Sequence, residues 1–362
     1  MAEPVSSPSA AKAAARGGFL AAIFLMATSA IGPGFITQTA TFTAKLGSAF
    51  AFAIAASIVI DFVVQLNIWR ITALTRRNAS DTANAAIPGA GYLLAVLVLI
   101  GGLAFNVGNL AGAGLGLNAM VGLDPKIGGA ASAFLAIGIF LSRRAGLLLD
   151  RAIIGLGVLM IGMTLVVAFT TNPPVGEALR QAIMPDVIDF ATITTIVGGT
   201  VGGYITYSGA HRLLDKGLVG EENLAAVTRA SLTGIAVTGV MRFVLFLAIL
   251  GVVASGVTLD LSGQAANPAA QAFAHALGEG GMRIFGVILW AAAITSVIGA
   301  AYTSVSFLTV FTSLDDRTRG IATVIFIFFS LLVYVVMGKA PAAIRVIVGG
   351  FNCLILPIGL SI

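Results

Sequence analysis

Charge is what this sequence has least of. Asp, Glu, Lys and Arg make up 10% of its 362 residues and hydrophobic residues 58%, whereas an ordinary soluble domain is roughly 25% charged. So few polar groups cannot clothe a water-facing surface, which excludes a soluble enzyme and makes lipid the solvent. The single cysteine, Cys353, lies in an apolar run; it rules out an internal disulfide or a thiolate metal site and reads as a small core residue. No His-Glu-x-x-His, no Gly-x-Ser-x-Gly and no paired intramembrane carboxylates are present, so catalysis has no machinery and no catalytic residue is expected. The phosphate-binding Gly-x-x-x-x-Gly-Lys loop is missing too, which leaves energy coupling through ATP unsupported, and no signalling domain is attached for a sensor to use. Basic residues interleaved with aromatics are likewise missing, so nucleic acid is not a partner.

What the chain has is apolar length. Segments of about 20 apolar residues are read as spanning helices, because in lipid every backbone amide must be satisfied within its own segment. Ten such spans are expected, at 19–43, 48–69, 91–122, 127–141, 147–170, 190–210, 230–256, 282–311, 320–338 and 342–362. They form one transmembrane transport domain (19–362) behind a disordered cytoplasmic tail (1–18), which has neither the apolar core nor the cleavage pattern of a signal peptide. Thirteen Lys and Arg fall on the side of the N-terminus, against Lys45, Lys126, Arg180, Arg283 and Lys339 on the other, which puts the N-terminus in the cytoplasm of a multi-pass cell-membrane protein. The chain ends in the apolar Leu360-Ser361-Ile362, which leaves open whether further helices follow.

Ten spans divide into two fives, about 19–170 and 190–362, and an odd number per half inverts the second half in the membrane. The first span of each half carries a helix-breaking centre: Ile31-Gly32-Pro33-Gly34-Phe35, and Val197-Gly198-Gly199-Thr200-Val201-Gly202-Gly203-Tyr204. Proline removes an amide donor and glycine frees the backbone, so these centres unwind and leave amides and carbonyls unpaired. At membrane depth such groups are tolerated only where they are buried in protein or line a cavity, and there they become ligands for a solute. A packing kink would explain one break; two at equivalent positions point to a binding site.

At these residues the chain resembles the NRAMP family of divalent-metal transporters, over about 19–357. Gly32-Pro33-Gly34-Phe35 stands where the family has Asp-Pro-Gly-Asn, and Thr200-Val201-Gly202-Gly203-Tyr204 where it has Met-Pro-His after Thr-Val. Asn106 and Asn109, ahead of Gly112 and Gly116-Leu117-Asn118, take the place of an acidic pair in span 3, and Phe351-Asn352-Cys353-Leu354-Ile355-Leu356-Pro357 looks like the family's span 10 stretch. The resemblance implies an all-α polytopic membrane protein with a LeuT-like fold, two inverted five-helix repeats, and broken helices in spans 1 and 6. It also implies where metal ligands would sit, and there the chain departs: the Asp falls on Gly32, the Asn on Phe35 and the Met on Gly202. Transition metals want carboxylate, imidazole or sulfur, so no metal site is expected. Asn106 and Asn109 do not titrate near neutral pH, which removes the family's usual proton route. Losing three ligands should also enlarge the cavity and make it less polar.

The reading is therefore a secondary active transporter of a small organic solute bearing a carboxylate, such as an amino acid, a cyclic derivative or a short organic acid. The alternative is a Mn- or Mg-type divalent-cation transporter, conceivably proton-coupled. Expected contacts are Gly32, Gly34, Phe35 and Gln38 from span 1, with Gly202, Gly203, Tyr204 and Tyr207 from span 6. Backbone amides would hold the carboxylate, Phe35 and Tyr204 shape the wall, and Gln38 and Tyr207 orient an amide or amine. Two charges lie inside spans, Asp61 in span 2 and Arg242 in span 7; either they pair, or Asp61 carries a proton and Arg242 receives the carboxylate. His211 is either a proton relay or, as its neighbours Arg212 and Asp215 favour, a residue of a cytoplasmic helix end. No cofactor is expected beyond a coupling ion, proton or sodium, and no protein partner beyond the bilayer and the solute.

Overall fold

The computed structural model describes residues 8–142, 158–261, 267–337, 348–350 and 352–356, and among them there is no strand. Residues 1–7, half of the expected fifth span's first turns (147–157) and most of the tenth (342–347, 351 and 357–362) lie outside the described residues. The first helix, α1 (Pro8–Ala30), begins well before residue 19. Residues 8–18 of the expected disordered tail are thus helical, because Ser9-Ala10-Ala11-Lys12-Ala13-Ala14-Ala15-Arg16 is a run of strong helix formers behind a proline at the helix start.

After α2 (Pro33–Leu46) come α3 (Phe50–Thr75), a short α4 (Ala79–Ala86), α5 (Ala90–Val121), α6 (Pro125–Leu141) and α7 (Val158–Thr171). The second half holds a short α8 (Val175–Ile183), α9 (Phe190–Thr200), α10 (Ile205–Asp215), α11 (Leu224–Ala254), α12 (Pro268–Ser306) and α13 (Asp316–Met337). Among the described residues five helical stretches are long and apolar enough to cross a membrane, and α7 with α8, bent by 109°, makes a sixth. The others are too short one by one: α6 has 17 residues, and α9 and α10, the halves of one expected span, have 11 each. Inside α12, Gly278 adopts a left-handed φ of 68° and turns the chain before the expected eighth span begins.

Helix α1 packs on α10, and α2 on α9, so the halves of the two broken spans cross; α3 packs on α11, α5 on α12 and α6 on α13. Each pair joins members at the same place in the two halves of the chain. Contact between equivalent helices is what a pseudo-two-fold axis within the membrane produces. Polar side chains turn inward, and large apolar ones such as Val59, Phe169, Val240, Ile325 and Phe328 are exposed toward the lipid. The interior divides into apolar clusters. One is built around Phe35, Phe50, Phe246 and Phe273, and a second around Met26, Trp69, Phe105, Tyr204 and Phe307. The crossing breaks lie between these two.

Candidate functional site

Both breaks form where the sequence removes backbone partners. Helix α1 stops at Ala30, and α2 restarts with Pro33 as its first residue behind Gly32. Helix α9 stops at Thr200, and the chain passes through Val201, Gly202 and Gly203, whose φ of 59° is left-handed, before α10 begins at Ile205. Carbonyls near the breaks are taken up by side chains of other elements. Ser296 Oγ of α12 donates to Thr28 O at 3.2 Å, and Trp69 Nε1 of α3 donates to Thr206 O at 3.0 Å. Thr206 Oγ1 itself turns back to Val201 O.

Thr200 O, the last carbonyl of α9, accepts from Arg242 Nη2 at 3.3 Å. The same Nη2 donates to Asp61 Oδ2 at 3.2 Å, and the guanidinium carbon lies 6.0 Å from the centre of the Phe35 ring. Arg242 is 0% and Asp61 1% exposed. The two intramembrane charges therefore do pair, and the pair touches both breaks: Phe35 lies in the first turn of α2, and Thr200 closes α9. The pair is incompletely satisfied. Arg242 Nε and Nη1, and Asp61 Oδ1, are buried without a hydrogen-bond partner among the described residues.

Glycine at the other expected ligand positions brings neighbours in rather than opening space. A Cβ on Gly32 would stand 2.9 Å from Ser296 Oγ, and one on Gly202 would stand 2.7 Å from Asn352 O. The expected enlargement of the cavity is therefore not met in this conformation, because helices α12 and the tenth span close onto the bare backbone. Gln38 is buried with its amide seated against two glycines, Gly199 of α9 and Gly349 of the tenth span. Gly34 faces Phe105 of α5, whose ring meets that of Tyr204 edge-on at 5.4 Å. Asn106 donates to Ser330 at 3.2 Å and keeps Oδ1 unpartnered, and Asn109 Nδ2 is likewise buried without a partner among the described residues.

Tyr207 stands apart from Gln38. Its ring packs on Phe307 at 5.0 Å and faces His211 at 6.1 Å. His211 lies near the end of α10 together with Arg212 and Asp215, but it is buried, at 1% exposed. Its Nε2 accepts from Ala79 N at 3.2 Å, so that nitrogen carries no proton. Nδ1 then donates to Ser306 Oγ at 2.6 Å, and Ser306 passes its own hydrogen to Thr303 O at 2.6 Å. This chain fixes a neutral imidazole as a tie between α4, α10 and α12, and leaves no free nitrogen for a relay. Ser296, Thr200, Gly199 and Asn352 were not among the expected contacts, although the last three stand in stretches the sequence singled out. The last was the readable one: a lone asparagine in an apolar run, it is fully buried with Oδ1 unpartnered and packed against Gly203 of the break.

Among the described residues no three His, Cys, Asp or Glu side chains gather as a metal ion would require. What the crossing offers instead is a desolvated guanidinium with three N–H hydrogens available, flanked by an aromatic face and an unwound backbone. That arrangement suits the oxygens of an anion.

Comparison with known proteins agrees with this architecture. The sequence profile described as natural resistance-associated macrophage protein-like matches residues 23–362. An uncharacterised membrane protein of Haemophilus influenzae is 52% identical over 347 residues, covering 96% of this chain and 86% of its own length. The crystal structure of a manganese transporter of Eremococcus coleocola superposes with a TM-score of 0.71 at 14% identity, over 99% of this chain and 80% of the other. That of MhsT in complex with L-phenylalanine gives a TM-score of 0.64 at 17% identity, over 95% and 88%. At such identities the likeness shows the fold, which is the LeuT-like one with its inverted repeats and broken helices.

Proposed function

The chain belongs to the natural resistance-associated macrophage protein-like family of membrane transporters, and from that premise we propose that it carries a small organic solute bearing a carboxylate rather than a transition metal. The observation that supports this is the buried guanidinium of Arg242 at the crossing of the two breaks, in contact with Thr200 O and the Phe35 ring. A cation site here would have to form beside a buried guanidinium that already occupies the Asp61 carboxylate, and without the family's Asp, Asn and Met. A carboxylate would find hydrogen-bond donors of opposite charge. Phe35, Phe105 and Tyr204 supply apolar and aromatic wall, Gln38 and Asn352 supply polar contacts, and the backbone amides of Gly32, Gly34 and Gly203 complete the cradle. The Lys and Arg asymmetry supports a cytoplasmic N-terminus.

The test is thermal stabilisation of the purified protein by small carboxylates, amino acids and divalent metals. A ligand that binds only the folded state stabilises it by about 2.7 kcal/mol at a hundred times its Kd. A shift with carboxylates that is lost in Phe35→Ala and Gly202→Met is the expected result. The second reading, divalent-cation transport, is favoured by the fold shared with the manganese transporter; a shift with manganese, magnesium or calcium alone would establish it and end the first.

A further inference from the structure

Charge balance at the crossing goes further than the identity of the family. Arg242 and Asp61 form a neutral pair sealed from water, joined through a single nitrogen, Nη2, to Oδ2. An anion seated on the free Nε and Nη1 hydrogens would leave two negative charges against one positive charge in a low-dielectric interior. Such an excess charge is costly where the pair alone is tolerated. The excess is removed if one proton arrives with the anion. Asp61 Oδ1 is placed to take it, being buried and unpartnered, so protonation there breaks no existing hydrogen bond.

No other ionisable group answers that charge among the described residues packed on α3. On α10, His211 is held by Ala79 and Ser306, Asp215 is engaged by Tyr302 and Arg319, and Arg212 sits in the last turn of the helix. On α8, Glu177 and Arg180 pair with each other; Glu222 pairs with Arg76 at the helix end, and Asp81 of α4 accepts from Thr309. Lys45, in the last turn of α2, acts on Asp189; Arg229 of α11 is exposed; α9 contains no ionisable residue.

We infer that Arg242 is the carboxylate receptor and Asp61 the proton acceptor of a one-to-one symport, and that the cargo is a monocarboxylate of net charge −1. The event is RCOO⁻ plus H⁺ joining the Asp61⁻/Arg242⁺ pair to give neutral Asp61–COOH, Arg242⁺ and bound RCOO⁻, with the proton drawn from the solvent the solute leaves. An amino-acid zwitterion brings its own positive charge and needs no proton, which separates the two kinds of cargo. The inference rests on the carboxylate reading proposed above.

It is tested by calorimetric titration of the purified full chain with lactate, pyruvate and a lactam carboxylate, alongside the zwitterions L-alanine and L-proline. Titration in buffers of different ionisation enthalpy reads the protons taken up. The expected result is uptake of one proton per bound monoanion and a tenfold gain in affinity per unit fall in pH, by linkage. Asp61→Asn should bind the same anion with no proton uptake and no pH slope, and Arg242→Gln should lose the anion. Anion binding without proton uptake by the unaltered protein overturns the coupling while the carboxylate reading stands, and so does exclusive binding of zwitterions. An unchanged slope in Asp61→Asn overturns the assignment of the proton to that residue. Binding of manganese and of no carboxylate sinks both readings together. The measurement on the unaltered chain decides the coupling even if a variant does not fold.

Discussion

Removing either member of the Asp61–Arg242 pair should cost far more than removing both. At the observed 3.2 Å and an effective dielectric near 20, the attraction is about 5 kcal/mol. A buried charge stripped of its partner typically costs about 3–5 kcal/mol of stability. Asp61→Asn and Arg242→Gln should each fall in that range, since neither charge has another charged partner and both are buried. The double variant keeps a neutral, hydrogen-bonding pair of similar size and should lose no more than about 1–2 kcal/mol. Unfolding by titration with sodium dodecyl sulfate, followed by the fluorescence of the buried Trp69, gives the four free energies of the cycle. The anticipated coupling is several kcal/mol, with the double variant more stable than either single one. Additive losses, or single variants within about 1 kcal/mol of the parent, would refute the claim that these charges are desolvated and bound to each other.

Three further outcomes follow from single contacts. Gly199→Ala puts a methyl 2.8 Å from Gln38 Nε2 and should cost about 1–3 kcal/mol by overpacking; adding Gln38→Ser should recover most of it in the same unfolding assay, and a silent Gly199→Ala would show that the amide is not seated there. His211→Asn should lower stability by about 1–3 kcal/mol through lost buried hydrogen bonds, yet leave the pH profile of binding unchanged; a flattened profile would restore the histidine as a relay. Asp189 caps α9 by accepting from the amides of Ala191 and Thr192 and the Thr192 hydroxyl, and these bonds hold its carboxyl below the usual value. A lowered folded pKa adds stability above the unfolded value and loses it as pH falls through the folded one. Asp189→Ala should therefore cost about 1 kcal/mol at neutral pH and nothing in strong acid, as read from unfolding curves at the two pH values.

The breaks were legible because Gly32-Pro33-Gly34 and Gly202-Gly203 deny a helix its backbone in otherwise apolar runs. The pairing of Asp61 with Arg242 was legible for a related reason: two lone charges in lipid-facing segments have few alternatives to each other. Where that pair sits was not readable, since it depends on how α11 leans against both breaks, and no local pattern encodes a long-range approach. His211 misled because its neighbours Arg212 and Asp215 belong to a helix end, whereas its own side chain points back between α4 and α12. The closed ligand positions misled in another way. Glycine at 32 and 202 looks like a vacancy in sequence, but in a packed bundle a missing side chain is an invitation to the next helix.

On the carboxylate reading proposed above, the charge at the crossing is what would separate this chain from a metal carrier on the same scaffold. A divalent cation standing where the Phe35 ring now lies would be about 6 Å from the guanidinium. At an effective dielectric near 20 the repulsion is about 5 kcal/mol, before the partial offset by Asp61. A monoanion in the same place gains roughly half that magnitude. Because Asp61 balances the guanidinium at 3.2 Å, both magnitudes are upper bounds, and the pair leaves a preference of sign at the crossing rather than the full field of a lone cation. If the cargo is a carboxylate, Arg242 in span 7 would receive it, and Asp61, which lets that arginine be buried, is the group through which the cargo's charge would be balanced.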